Sequence, residues 1–329
     1  APAGGVRRKR AMKEKKKEIR KTSIGGQALI EGVMMRGVGK TAMAVRLPDQ
    51  SIDVEVWNTK LAKDKSPVFR IPFVRGIFNF VDSLTFGYKC LMKSAEKAGM
   101  DDLEEETKFD RWLKAHCGEH LMKIVSVISA VLGVVLALAL FVYLPMLIVK
   151  GIEWLSGASL GWFKTLIEGV IKIVVFIAYL ALVSRMKDIH RVFEYHGAEH
   201  KSIACYEAGE ELTVENVRKY TRFHPRCGTS FILIVLIVSI LVFSLLQFSW
   251  GNLWLRFGLK ILMLPVVVGI SYEIIKYAGG HDNPLTKILS APGLWLQRLT
   301  TAEPDDSQIE VALASLKPVL PQEGEDDNW

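Results

Sequence analysis

Phe231-Ile232-Leu233-Ile234-Val235-Leu236-Ile237-Val238-Ser239-Ile240-Leu241-Val242-Phe243-Ser244-Leu245-Leu246-Gln247-Phe248 contains no charged side chain. A helix rises about 1.5 Å per residue, so an unbroken apolar run of this kind reaches across most of a bilayer's hydrocarbon core. Reading it as a short membrane span decides the fold, because three more apolar runs flank it. On the C-terminal side lies Phe257–Tyr277, with Pro265 and Gly269 as a kink point and Glu273 near its end. On the N-terminal side lie Leu121–Val149, long enough to cross with tilt, and Phe163–Ser184. The latter carries Lys164, Glu168 and Lys172 at successive i, i+4 positions, which are expected to pair along one helix face. The 329-residue chain is 50% hydrophobic, with the excess gathered in these blocks. The expected fold class is a mainly α integral membrane protein, a four-transmembrane-helix bundle over residues 121–277.

Orientation follows from basic residues. The loop between the second and third runs holds Arg185, Lys187, Arg191, Lys201, Arg218, Lys219, Arg222 and Arg226, whereas the loop before the second holds Lys150 and Lys164. Excess Lys and Arg marks the cytoplasmic side, so both termini and the loop 185–230 are expected there. Cys90, Cys117, Cys205 and Cys227 then all face a reducing compartment, and no disulfide is expected.

The flanks divide by composition. Residues 1–23 form a basic tail (Arg7, Arg8, Lys9 and Arg10 open its run) with no apolar core or cleavage site of a signal peptide. Such a tail is read as a solvated segment, with anionic lipid or ribosomal RNA as the partners that its charge would favour. In residues 24–66, Ala42–Leu47 and Ser51–Trp57 are separated by Pro48-Asp49-Gln50, and the second run alternates. This predicts a β-hairpin with one exposed face in a small β-rich unit. Residues 67–120 combine an aromatic amphipathic helix, expected in the membrane interface, with an acidic linker. Residues 278–317 are expected to form C-terminal helices that complete a cytoplasmic cap, Asp305 or Asp306 capping a helix with Ile309, Leu313 and Leu316 as its apolar stripe. An acidic tail, 318–329, follows. Neither a phosphate-binding glycine loop nor a GxSxG elbow is present.

Chemistry concentrates in Glu194-Tyr195-His196-Gly197-Ala198-Glu199-His200-Lys201. Its His-x-x-Glu-His core is the inverted form of a zinc-protease signature. At about 100° per residue, His196 and His200 lie one turn apart on one helix face, with Glu199 beside them to act as general base on water. A divalent ion, zinc by this spacing, is the cofactor expected. Three candidates can complete the set: His224 and Cys227 in the following loop, and Glu273 at the end of the last span. Two imidazoles with one Glu or Cys would leave an open, catalytic position, whereas His196, His200, His224 and Cys227 together would close a structural one. The alternative is a polar surface loop of hydrogen-bonded histidines. His116-Cys117-Gly118-Glu119-His120 repeats the pattern without a following His/Cys loop, and is read as a membrane-surface cluster.

Gly25-Gly26-Gln27-Ala28-Leu29-Ile30-Glu31-Gly32-Val33-Met34, Tyr195-His196-Gly197-Ala198-Glu199-His200-Lys201, Arg226-Cys227-Gly228-Thr229-Ser230-Phe231 and Pro292-Gly293-Leu294-Trp295-Leu296-Gln297 resemble the YqhQ-like family of bacterial multipass membrane proteins. So do Leu212-Thr213-Val214-Glu215-Asn216-Val217 and Leu299-Thr300-Thr301-Ala302-Glu303-Pro304. The resemblance runs from Gly25 to about Lys317. It implies a metal-dependent protein of the bacterial cytoplasmic membrane without an established reaction. Its motif residues map onto Glu31, His196, Glu199, His200, Tyr206, Glu207, His224, Cys227 and Glu273, while the first His-x-x-Glu-His, the basic tail and His281 lie outside the pattern. The functional expectation is a cytoplasm-facing metal-dependent hydrolase. The rival is a non-enzymatic scaffold, or a ribosome- or translocon-associated biogenesis factor, with a structural His/Cys loop.

Overall fold

A computed structural model describes residues 21–59, 67–99, 128–129, 131–246, 252–281 and 283–322. The first His-x-x-Glu-His, most of the basic tail, most of the acidic linker and the end of the acidic tail lie outside these residues.

The N-terminal region is more than a hairpin. It is a four-stranded antiparallel meander of β1 (Gly25–Leu29), β2 (Gly32–Arg36), β3 (Lys40–Arg46) and β4 (Ile52–Asn58). Strand alternation places successive side chains on opposite faces, and both faces of β2 and β3 are covered. Val33, Met35, Ala42 and Ala44 join one core, while Met34, Met43 and Val45 join another with Leu29 and Cys90. The second cover is α1 (Val74–Lys97). The alternation of β4 has the opposite sense to a simple amphipathic strand. Val54 and Val56 are exposed, and Lys97 of α1 pairs with Asp53 and Glu55.

Among the described residues, four helices are long and apolar enough to span a membrane: α2 (Val131–Ser156), α3 (Lys164–Val183), α6 (Gly228–Leu246) and α7 (Leu253–Gly280). The first runs past the expected end at Val149 to Ser156. Pro145 cannot donate to the carbonyl one turn back, and the preceding Ala139–Tyr143 takes up π-helical bonding, so the helix continues through it. It ends at Gly157, whose φ of 64° is the left-handed stop. The expected pairing along α3 is also corrected. Lys164 pairs across the turn with Glu153 of α2 at 2.9 Å, and Glu168 turns to Arg256 and Lys260 of α7. Long side chains reach the neighbouring helix, where burial removes competition from water.

Between α3 and α6 the chain forms α4 (Lys187–Glu207) and the short α5 (Val214–Arg218). After α7 come α8 (Pro284–Thr300) and α9 (Asp306–Leu316), each started by a reciprocal capping box, Asn283 with Thr286 and Asp305 with Gln308. The helix α9 buries Ile309, Leu313 and Leu316 against α4 and the sheet. The helix α8 packs instead on α6, α7 and α3. Its Gly293 is required there, because a Cβ would lie 2.4 Å from Ser230 of α6. The α8–α9 pair therefore joins the sheet-and-α4 cap to the apolar bundle.

Candidate metal centre

Every residue from Tyr195 to Ile203 is buried, because α4 is enclosed on all sides. One face meets the sheet and α9 through Tyr195, Ala198 and Cys205. The other meets two extended segments, Thr300–Pro304 and the loop that ends at Cys227. Gly197 permits the first approach, since a Cβ there would lie 2.0 Å from the Ala302 carbonyl oxygen. The Ala302 amide donates to the Phe193 carbonyl at 2.9 Å and fixes that strand along the helix. Gln297 of α8 fixes the second: its oxygen accepts from the His224 amide at 2.8 Å and its amide donates to the His224 carbonyl at 2.7 Å.

These segments orient both imidazoles. His196 Nδ1 donates to the Thr300 carbonyl at 2.7 Å, and His200 Nδ1 donates to the Arg222 carbonyl at 2.5 Å. A protonated Nδ1 leaves Nε2 as the ligating nitrogen, the outer-partner arrangement that metal-bound histidines use. His196 Nε2 lies 3.1 Å from Cys227 Sγ, while His200 Nε2 is buried without a hydrogen-bond partner. One donor atom from each of His196, His200 and Cys227 lies within 4.8 Å of the others. Tetrahedral zinc with N and S ligands needs separations of about 3.3–3.6 Å, so the three residues fit such an ion with small side-chain adjustments. Cys227 stands at the start of α6, where the Thr229 amide donates to its sulfur at 3.4 Å. A helix N-terminus favours an anionic thiolate.

The side chains of the cluster are strongly coupled electrostatically. Burial opposes charge on Cys227, but the attraction of His196 and His200 holds its thiol well below the usual range. Burial likewise opposes protonation of His196, yet Cys227 and Glu199 raise it to about 9. Glu199, beside the cluster and next to Gly26, is pushed up by burial, and its Oε2 has no hydrogen-bond partner. It is outside the group of three close donors.

The remaining candidates are placed elsewhere. His224 lies beyond His200, the two rings tilted with centroids 5.5 Å apart, and its Nε2 faces Glu207 at 3.7 Å. Burial lowers its basicity. Glu207 also pairs with Arg226 and accepts from the Thr22 amide at 2.8 Å, so it ties the start of the sheet region to this loop. Glu273 is not brought to the cluster. It accepts from Arg75 Nε at 2.7 Å and joins α7 to α1. Glu31, at φ 49° in the β1–β2 turn, accepts from Arg191 and from the Tyr195 hydroxyl at 3.1 Å. Tyr206 packs against the core of the cap. Thr300, Arg222 and Gln297 escaped sequence reasoning because two of them act through backbone carbonyls, which every residue has. The Pro-Gly-Leu-Trp-Leu-Gln motif was the one signal for Gln297.

Fold and cluster together define a mostly helical protein with four potential membrane spans, an N-terminal sheet and a buried His/His/Cys group at the head of α6. The family model described as "Protein of unknown function (DUF1385)" matches residues 71–322. "Uncharacterized protein YqhQ" of Bacillus subtilis (strain 168) is 38% identical over 303 residues, 91% of this chain and 92% of that protein. No solved structure matches. The chain belongs to the DUF1385, YqhQ-like family.

Proposed function

We propose that the protein is an integral protein of the bacterial cytoplasmic membrane with a cytoplasm-facing divalent-metal centre, of the zinc type, that carries out metal-dependent hydrolysis. The observation behind this reading is the pair of Nδ1–carbonyl bonds, which leave both Nε2 atoms to meet the Cys227 sulfur. His196, His200 and Cys227 would hold the ion. Three protein ligands leave one position open, as in catalytic sites. When bound, such an ion supplies Lewis-acid polarisation. Glu199, already shifted toward the protonated form by burial, takes up and returns the proton. The basic loop residues between α3 and α6 support a cytoplasmic cap with both termini on that side. The basic tail would then lie against anionic lipid or a ribosome or translocon partner.

Full burial of the three ligands favours a second reading, a structural fastener that locks the loop before α6 onto α4. Elemental analysis of purified protein, with complementation of a deletion strain, separates the readings. The hydrolase requires near-stoichiometric metal in wild type, retained metal but lost complementation in Glu199→Gln, and loss of both in His200→Ala. A fastener keeps complementation in Glu199→Gln. Protein without metal and indifferent to chelator would remove both readings.

A further inference from the structure

The start of α1 sits low on the flank of α7. Phe73 packs on Gly269, where an added Cβ would lie 3.1 Å from the Phe73 Cβ. One turn on, Gly76 fits against Tyr272, and Asn79 donates to the Tyr272 hydroxyl at 2.8 Å. Phe80 then meets Phe231 near the head of α6, with ring centroids 5.6 Å apart, and Cys90 enters the core beneath the sheet. The helix α1 therefore climbs from α7 to the cap rather than lying flat in an interface.

The depth of its starting point follows from the length of α7. The 27 apolar-rich residues Trp254–Gly280 extend about 40 Å at 1.5 Å per residue, against a hydrocarbon core of about 30 Å. Gly269 is about 22 Å from one end of that stretch and about 16 Å from the other. Wherever along this length the core falls, Gly269 lies inside it.

The tip of α1 is built for such surroundings. Val68, Ile71 and Phe73 are half-exposed, and they continue the exposed row Leu262 and Val266, which share the Gly269 face of α7. A 3₁₀ turn, Pro67–Arg70, folds back so that Phe69 stacks on Phe78 at 3.9 Å. From Ile71 to Gly76 every amide has a partner. Ile71 donates to Val68, Val74 to Pro72, Arg75 to Ile71, Gly76 to Phe73, and Phe73 to Glu273 Oε1 at 3.3 Å. Pro72, at the extreme end, has no amide to satisfy. A helix N-terminus ordinarily leaves its first amides to water, whereas in hydrocarbon each needs a partner within the protein. Phe73 takes a left-handed φ of 68° to make this turn. Arg75 and Glu273 neutralise each other, and Arg70, the one charge among residues 67–74, has a stem long enough to carry its head toward lipid headgroups.

We propose that residues 67–78 form a re-entrant wedge whose tip, Ile71-Pro72-Phe73, meets the acyl chains of the leaflet on the cap side. The wedge fastens the sheet to lipid in addition to the spans. Tyr88, about 22 Å up α1 from Phe73, stands beyond the end of α7 and outside the hydrocarbon. The proposal rests on reading α7 as a membrane span and is independent of the His/Cys centre.

The test is photolabelling of the full chain in phosphatidylglycerol and phosphatidylethanolamine vesicles. These contain a phospholipid with a diazirine on its acyl chain or, in parallel, on its headgroup, and adducts are mapped by peptide mass spectrometry. The acyl-chain probe is expected to mark residues 68–73 as strongly as Leu262 and Val266, and to leave Tyr88 and Met92 unmarked. Marked spans with residues 68–73 unmarked, or marked by the headgroup probe alone, would overturn the wedge and keep the spans. Acyl-chain adducts running on through Tyr88 and Met92 would also overturn it, in favour of a helix lying flat. Absence of adducts from the spans as well would overturn the membrane reading itself.

Discussion

The two polar centres of this molecule are built in contrasting ways. At the head of α6, short side chains are aimed by backbone carbonyls, and each imidazole has its Nδ1 fixed by one of them. Between α3 and α7, flexible side chains share a carboxylate, and charge rather than direction is what they supply. The first arrangement suits an ion that demands geometry. The second suits a permanent interhelical tie. Rigidity and charge are thus separated along the length of one bundle.

Several changes would break or sharpen that contrast. Glu168→Gln should have the largest effect on stability, about 3–5 kcal/mol, because removing one partner leaves buried cations uncompensated; reversible unfolding in mild detergent reads it. Next, zinc at a thousandfold excess over its Kd should stabilise wild type by about 4 kcal/mol. That gain should vanish on chelation and be absent in His200→Ala, while Lys172→Met keeps it. Gln297→Leu should cost about 1–3 kcal/mol by stranding the buried His224 amide and carbonyl, and should also weaken metal retention. Gly197→Ala should cost a similar amount, about 1–3 kcal/mol, as the Ala302 strand is pushed off α4.

The smallest effect is expected at the cap of α9. Asp305→Ala should cost about 1 kcal/mol. Burial opposes the carboxylate, but its bonds to Ser307 and the Gln308 amide hold it below the usual value. The folded form therefore binds its proton less readily than the unfolded chain. The contribution is present above the ordinary carboxylate pKa of about 3.9 and is lost as pH falls through the lower folded value. The gap between wild type and Asp305→Ala should close on acidification, measured as Tm against pH.

Legibility in the sequence followed the range of each interaction. The i, i+4 spacing of His196 and His200 is local, as is the Asp305 cap, and both could be read directly. Hydropathy marked the four long helices, although Pro145 did not end α2, because the backbone absorbed it as a π-helical segment. The β-region was read as a hairpin since only its second half alternates. Its central strands are covered on both faces, and two-sided burial erases alternation. Lys164, Glu168 and Lys172 misled for a related reason: spacing permits a pair along the helix, but a neighbouring helix offered Glu168 stronger partners.

What the sequence by itself determined is therefore short-range: the long apolar helices, the capped terminal helix and two histidines on one helical face. These depend on the chemistry of nearby residues and the fixed pitch of a helix. Tertiary structure alone decided that Cys227, not Glu273, meets those histidines, that Thr300 and Arg222 aim them, and that Glu168 faces α7. Such choices depend on which distant segments return to the same place, and partners 104 or 92 residues apart carry no shared local signal.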